Sequence, residues 1–174
     1  MSFNEFKIGE FVVYGTNGVC RIEDITMRTL SPSIPPRRYY ILTQIKNSST
    51  IYVPCESQIT KMRYPVSAEQ ISQMLAESKH LVMPWDLDRK ARTARFHEIL
   101  TAGVGVDLLL MIRCIKTQKD ELAKSKKKLS NTDSDLLFTA QSILEDEFSF
   151  VLGIPAHKVK EYIDSSLAQE VACF

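Results

Sequence analysis

Apolar and β-branched residues gather in short runs through the first third of the chain, and a helical period replaces them from Ser67 onward. Phe11-Val12-Val13-Tyr14 reads as a short strand, and Gly15-Thr16-Asn17-Gly18 after it suits a tight turn. Val19 to Ile25 reads as a second strand, with Val19, Arg21, Glu23 and Ile25 on one face and Cys20, Ile22 and Asp24 on the other. A loop holding Pro32, Pro35 and Pro36 breaks the pattern. Tyr39 to Ile45 is the clearest strand, being rich in aromatic and β-branched residues. Asn47-Ser48-Ser49 then turns into Thr50-Ile51-Tyr52-Val53-Pro54, whose proline marks a strand end or a sheet edge. Four or five short strands in so little chain predict a small, strongly bent sheet or partial barrel.

Ser67-Ala68-Glu69-Gln70 has the form of a capping box, with Ile71, Met74 and Leu75 as the apolar stripe of a first helix. A second helix is expected from Asp86 or Asp88 to about Leu100. A third is expected over Val106 to Lys124, where Leu108 to Ile112 is apolar on most sides and therefore central. The fourth keeps Leu136, Leu137, Ala140, Ile143, Leu144, Phe148, Val151 and Leu152 on one face and stops at Gly153. Pro155 suits the first turn of a fifth helix carrying Val159, Tyr162, Ile163, Leu167 and Val171. The fold class is thus α+β, with a β-domain over 1–64 and a compact all-α domain of about five helices over 65–174.

Composition adds little to this picture, but charge distribution adds something. The chain of 174 residues carries a net charge of +1, so the whole molecule has no electrostatic signature of a nucleic-acid binder. Residues 89–128, however, hold eleven Lys/Arg against four Asp/Glu, and residues 129–174 hold two against eight. Either the basic stretch faces a phosphate backbone, or it is a solvated helix face balanced by its neighbour. Cys20, Cys55, Cys114 and Cys173 are scattered, with neither a paired CxxC nor a histidine at metal-ligand spacing. Without an apolar secretory leader they read as free thiols of a cytoplasmic protein. No apolar run approaches the about 18 residues a membrane span needs.

Catalytic chemistry is not evident. The Gly15–Gly18 glycines lie between strands rather than ahead of a helix, which favours a hairpin turn over a phosphate loop. His80, His97 and His157 stand far apart, beside no recognisable nucleophile motif. Glu145, Asp146 and Glu147 are consecutive on a helix and diverge. The chain is therefore expected not to be an enzyme and to need no cofactor. Two features suit binding instead. The Thr50–Pro54 strand, if at a sheet edge, can accept a partner's strand or simply face water. Trp85, the only tryptophan, precedes Arg89, Lys90, Arg92 and Arg95, so it is either an apolar wedge beside phosphate-binding cations or a core anchor. Lys124, Lys126, Lys127 and Lys128, near the third helix's end, suit the helix dipole as well as DNA.

Phe6-Lys7-Ile8-Gly9-Glu10-Phe11-Val12-Val13-Tyr14, then Gly18-Val19 and Ile22-Glu23-Asp24-Ile25, resembles the opening of the CarD/CdnL family of bacterial transcription regulators. Tyr39 to Leu42 and Ile51 to Pro54 continue the pattern in order, and Trp85 with its basic followers is similar to that family's helical domain. Lys127-Lys128-Leu129-Ser130, leading into Asp133 and the Glu145 to Leu152 segment, resembles that helical domain too, and Gly153-Ile154-Pro155 with Val159 and Tyr162-Ile163 resembles the variants of clostridia-like Gram-positive bacteria. The resemblance implies a Tudor-like N-terminal domain that binds the RNA polymerase β subunit, in holoenzyme with sigma factor, by strand pairing. Arg28, Ile51, Tyr52, Val53 and Pro54 are the implied contact, with Tyr52 standing where some relatives have Arg. It also implies a helical domain that touches promoter DNA near the −10 element, with Trp85 as a minor-groove wedge that keeps the open complex from collapsing. Arg89, Lys90, Arg92 and Arg95 are the expected basic contacts. Leu87 and Asp88 replace a basic pair of actinobacterial relatives, and Ser134 replaces a DNA-contacting Lys. A monomer is implied. The alternative is a polymerase-binding adaptor whose helical domain binds another protein.

Overall fold

The computed structural model describes residues 6–56 and 62–168. Contacts divide the chain into two units, Met1–Pro65 and Val66–Phe174. The first is an antiparallel sheet and the second a set of five helices, so the α+β class read from the sequence is observed.

The sheet holds β1 (Phe11–Tyr14), β2 (Val19–Arg28), β3 (Arg37–Gln44), β4 (Thr50–Pro54) and β5 (Met62–Arg63), in the order β4-β3-β2-β1-β5. The β1–β2 connection is a single 3-10 turn over Gly15–Asn17. It closes at Gly18, whose φ of 73° and ψ of −152° only glycine adopts without strain. Val12, Cys20, Ile22, Tyr40, Leu42 and Val53 fill the core, with Phe6 and Met62 closing it.

Simple alternation does not hold along β2. Its register against β3 shifts between Ile22 and Asp24, so Glu23 forms a bulge. One extra residue reverses the facing of everything after it. Ile25 therefore joins the core face of Cys20 and Ile22 instead of opposing them. Beyond the bulge, β2 and β3 run on together to Arg28 and Arg37, past the last β4 pairing at Tyr39.

The helices are α1 (Ala68–Ser78), α2 (Arg89–Ala102), α3 (Val106–Lys124), α4 (Asn131–Leu152) and α5 (Ala156–Ala168). Ser67 caps α1 with a complete capping box: its Oγ accepts from Gln70 N–H, and Gln70 Oε1 accepts from Ser67 N–H. Asp88, not Asp86, caps α2, and Ser130 caps α4. Gly153 ends α4 in the left-handed conformation, its N–H donating to Ser149 O. Ile71, Phe96, Leu108, Met111, Ile115 and Phe148 are the largest apolar side chains fully enclosed between the helices. Glu147 is enclosed with them and accepts the Val66 N–H at 2.8 Å, which pins the first residue of this unit to α4. Val159, Tyr162, Ile163 and Leu167 of α5 pack on the same core, while Val171 lies outside the described residues.

Candidate polymerase-binding and nucleic-acid interfaces

In the first unit β4 is the terminal strand of the five described, hydrogen-bonded to β3 alone among them. Its hydrogen-bonding phase follows from two flanking bonds, Gln44 N–H to Ser49 O and Cys55 N–H to Arg38 O. With Leu42 opposite Ile51 and Tyr40 opposite Val53, those residues direct their backbone groups at β3. Thr50 and Tyr52 direct theirs outward. Pro54 shares that outward phase and lacks an N–H, so the edge has a defined end for strand addition. Tyr52 is 45% exposed, whereas Val53 belongs to the core and Ile51 is half-buried. The side chain that a partner strand can meet is thus Tyr52, and Val53 only sets the register.

Arg28 does not lie on this edge. It ends β2 opposite Arg37, with β3 between it and β4. Arg28, Arg37 and Arg38 are all exposed. They give that end of the sheet a basic corner, and the hairpin beyond it exposes Leu30 and Ile34. At the opposite end, Glu10 Oε2 accepts from the Tyr64 hydroxyl at 2.9 Å and the Lys7 N–H at 2.8 Å. Both bonds hold the Glu10 carboxyl below its ordinary range, the backbone bond most.

In the second unit Trp85 is half-buried, its ring 6.3 Å from that of Phe96. The Arg92 guanidinium lies against the ring, with Cζ 4.1 Å from the centroid. Arg92 itself is only 6% exposed. Its Nε and Nη2 grip the Asp133 carboxylate at 3.2 and 3.1 Å, and Nη1 donates to Asp86 O at 2.6 Å. Ser130 Oγ adds a third bond to the Asp133 carboxylate at 2.6 Å. Burial alone raises the Asp133 pKa, but the hydrogen bonds from Arg92 and Ser130 and the charges of Arg92 and Arg89 outweigh it. The carboxyl stays below its ordinary value of 3.8.

This geometry corrects one expectation. Arg92 cannot meet a phosphate, because it is buried and every nitrogen of its guanidinium is engaged. It lies against the Trp85 ring instead and ties α2 to Asp133 in the first turn of α4. Arg89, Lys90 and Arg95 remain exposed on α2, and Arg89 Nη2 donates to Thr132 Oγ1 at 3.0 Å. The Asp86 side chain accepts from Asp88 N–H, and Asp88 accepts from Ala91 N–H, so both carboxylates serve the turn into α2. Val82 and Leu87 flank the tryptophan, exposed at 86% and 90%. Arg113 Nη2 donates to the Ser78 and Leu81 carbonyls and anchors the start of this loop.

Asp133 and Arg113 are the two residues that sequence reasoning missed. Each lies more than thirty positions from its partner along the chain, so no local pattern couples them.

The remaining sequence candidates stay apart. His80, His97 and His157 are exposed on different elements, and no group of His, Cys, Asp or Glu suited to a metal occurs among the described residues. Cys20, Cys55 and Cys114 form no disulfide among the described residues, and burial pushes the Cys114 thiol up. Cys173 lies outside the described residues. No helix of the described residues is long and apolar enough to cross a membrane.

Residues 6–66 match the CarD-like/TRCF RID domain, an RNA polymerase-interacting domain. The match covers the sheet and ends at Val66, the first residue of the helical unit. No curated protein matches the chain.

Proposed function

We propose that this chain, whose residues 6–66 form a CarD-like/TRCF RID domain, binds the β subunit of RNA polymerase by strand addition at β4. The helical unit then presents Trp85 to promoter DNA at the upstream edge of the transcription bubble and prolongs the open complex. The observation that carries the first step is the terminal position of β4, with Thr50 and Tyr52 facing outward within a domain of the polymerase-interacting type. Backbone hydrogen bonds supply affinity in such pairing, and Tyr52 supplies side-chain contact. The basic corner of Arg28 and Arg37 flanks this surface without belonging to the strand.

The DNA step is supported by the clamped ring. A Trp fixed by Arg92 and Phe96 loses little freedom on entering a groove, and Arg89, Lys90 and Arg95 stand on the adjoining turns of α2 to meet phosphates. Weak DNA affinity suffices, because tethering to polymerase raises the local concentration to roughly millimolar. A preference for the open state of about 1.4 kcal/mol shifts its equilibrium about tenfold. On this reading the protein works as a cytoplasmic monomer, without catalysis and without a cofactor.

Trp85→Ala should shorten the lifetime of open complexes on a promoter fragment while leaving polymerase binding unchanged. Trp85→Phe, which keeps the packing on Phe96, should give an intermediate lifetime. Equal lifetimes for all three proteins would favour a second reading, a polymerase-binding adaptor whose helical unit docks a protein. One observation favours that reading: the loop around Trp85 exposes Val82 and Leu87, which suit an apolar protein surface.

A further inference from the structure

The last turns of α3 and the first turns of α4 border an open cleft of about 540 Å³, which the function proposed above does not use. Lys119, Lys127 and Lys128 line it from one side. Asn131, Ser134 and Phe138 line it from α4, at positions that share one helix face. Every ionisable group in the lining is cationic, and the amide and hydroxyl there can donate hydrogen bonds. The three lysines make no ion pair among the described residues. The nearby carboxylate of Glu121 is engaged by Lys124 at 2.6 Å, and Asp120 acts on that same lysine.

Phe138 is the unusual member. It is 74% exposed, while Leu136, Leu137, Ala140, Ile143 and Leu144 of the same helix are buried. The other exposed large apolar residues described in this unit, Leu81, Val82 and Leu87, all belong to the α1–α2 loop. Phe138 is therefore an exposed aromatic ring beside cations, in a lining that also holds Ala123, Leu129 and Leu137. Nucleic-acid single strands are bound by this combination, with bases stacking on an aromatic face and phosphates tracking along basic side chains. An acidic peptide would satisfy the lysines, whereas a base also uses the planar face of the one aromatic ring in the lining.

We propose that this cleft binds single-stranded nucleic acid, with a base stacked on Phe138 and phosphates on Lys127 and Lys128. The site goes beyond the Trp85 contact and does not depend on it. Asp133 and Thr132 of α4's first turn meet α2, whereas Asn131 and Ser134 of that turn face the cleft. A strand separated from its complement near Trp85 would have this cleft on the other side of the same turn.

The test is fluorescence anisotropy of a labelled oligothymidylate of about ten nucleotides, titrated at low salt with the full chain and its variants. Wild type should bind, Phe138→Ala should bind about fivefold or more weakly, and Phe138→Tyr should restore the affinity. Replacing Lys127 and Lys128 by Ala together should reduce the slope of log affinity against log salt by about 1.4. Oligonucleotide binding is read without polymerase, whereas the wedge is read as open-complex lifetime, so failure of this site and failure of the wedge are told apart. Equal binding by Phe138→Ala and wild type, or no wild-type binding at low salt, overturns the proposal. So does capture of an acidic peptide at this cleft in preference to the oligonucleotide.

Discussion

Replacing Arg92 by Met tests whether a buried ion pair holds Trp85 in place. Arg92→Met keeps most of the aliphatic volume but removes both bonds to Asp133, the bond to Asp86 O and the contact with the indole. Asp133, only 3% exposed, would be left with the Ser130 side chain as its remaining described side-chain partner. Removing one member of a buried pair costs about 3–5 kcal/mol, because the other charge stays buried without compensation. The lost cation–π contact adds roughly 1 kcal/mol. Against a typical stability of about 5–15 kcal/mol, that is a large fraction. With a urea slope of about 1.5 kcal/mol per M, the midpoint should fall by roughly 3–4 M.

The assay is urea unfolding followed by tryptophan fluorescence. The chain has one Trp, so the signal reports the helical unit alone. Emission of the folded variant should also shift to the red as the ring becomes wetter. The double variant Arg92→Met, Asp133→Leu should recover most of the loss, since an apolar pair of similar volume leaves no orphaned charge. A fall below about 1 kcal/mol in the single variant, with unchanged emission, would refute the clamp.

Two further outcomes follow from the same unit. Because the folded-state pKa of Asp133 is depressed, its contribution is fully present above its ordinary value of 3.8 and is lost as pH falls through the lower folded value. Acid unfolding monitored at Trp85 should therefore set in below about pH 4, and Asp133→Asn should flatten that dependence while lowering stability at neutral pH. Gly153→Ala, at a φ of +64°, should lower the same urea midpoint by an amount equivalent to about 1 kcal/mol; an unchanged midpoint would mean that the α4 stop does not need glycine.

Much of the fold is legible in the chain because its signals are local. Ser67 with Gln70, and Gly153 at the end of the α4 stripe, are short-range devices that read the same way in sequence and in structure. The Glu23 bulge is not legible, since it is defined only by the partner strand: Ile22 meets Leu42 while Asp24 meets Ile41. Two residues of β5, Met62 and Arg63, are too few to show a period of two. The site divides in the same manner. Pro54 marks a strand end or a sheet edge by composition, and β4 does end the described sheet. Arg92 reads as one more cation beside Trp85, because its partner Asp133 is 41 residues away and only folding brings them together. Phe138 lies off the α4 stripe read from the sequence, and its 74% exposure in the structure is what marks it out.

The account rests most directly on binding of the cognate polymerase β subunit by the full chain. Tyr52→Pro should lose that binding without unfolding the sheet, because position 52 directs its N–H outward and an edge strand tolerates proline there. Trp85→Ala should bind as wild type does. Binding by wild type and its loss in Tyr52→Pro would place the contact on β4. Failure of the wild-type chain to bind, or undiminished binding by Tyr52→Pro, would contradict strand addition at this edge.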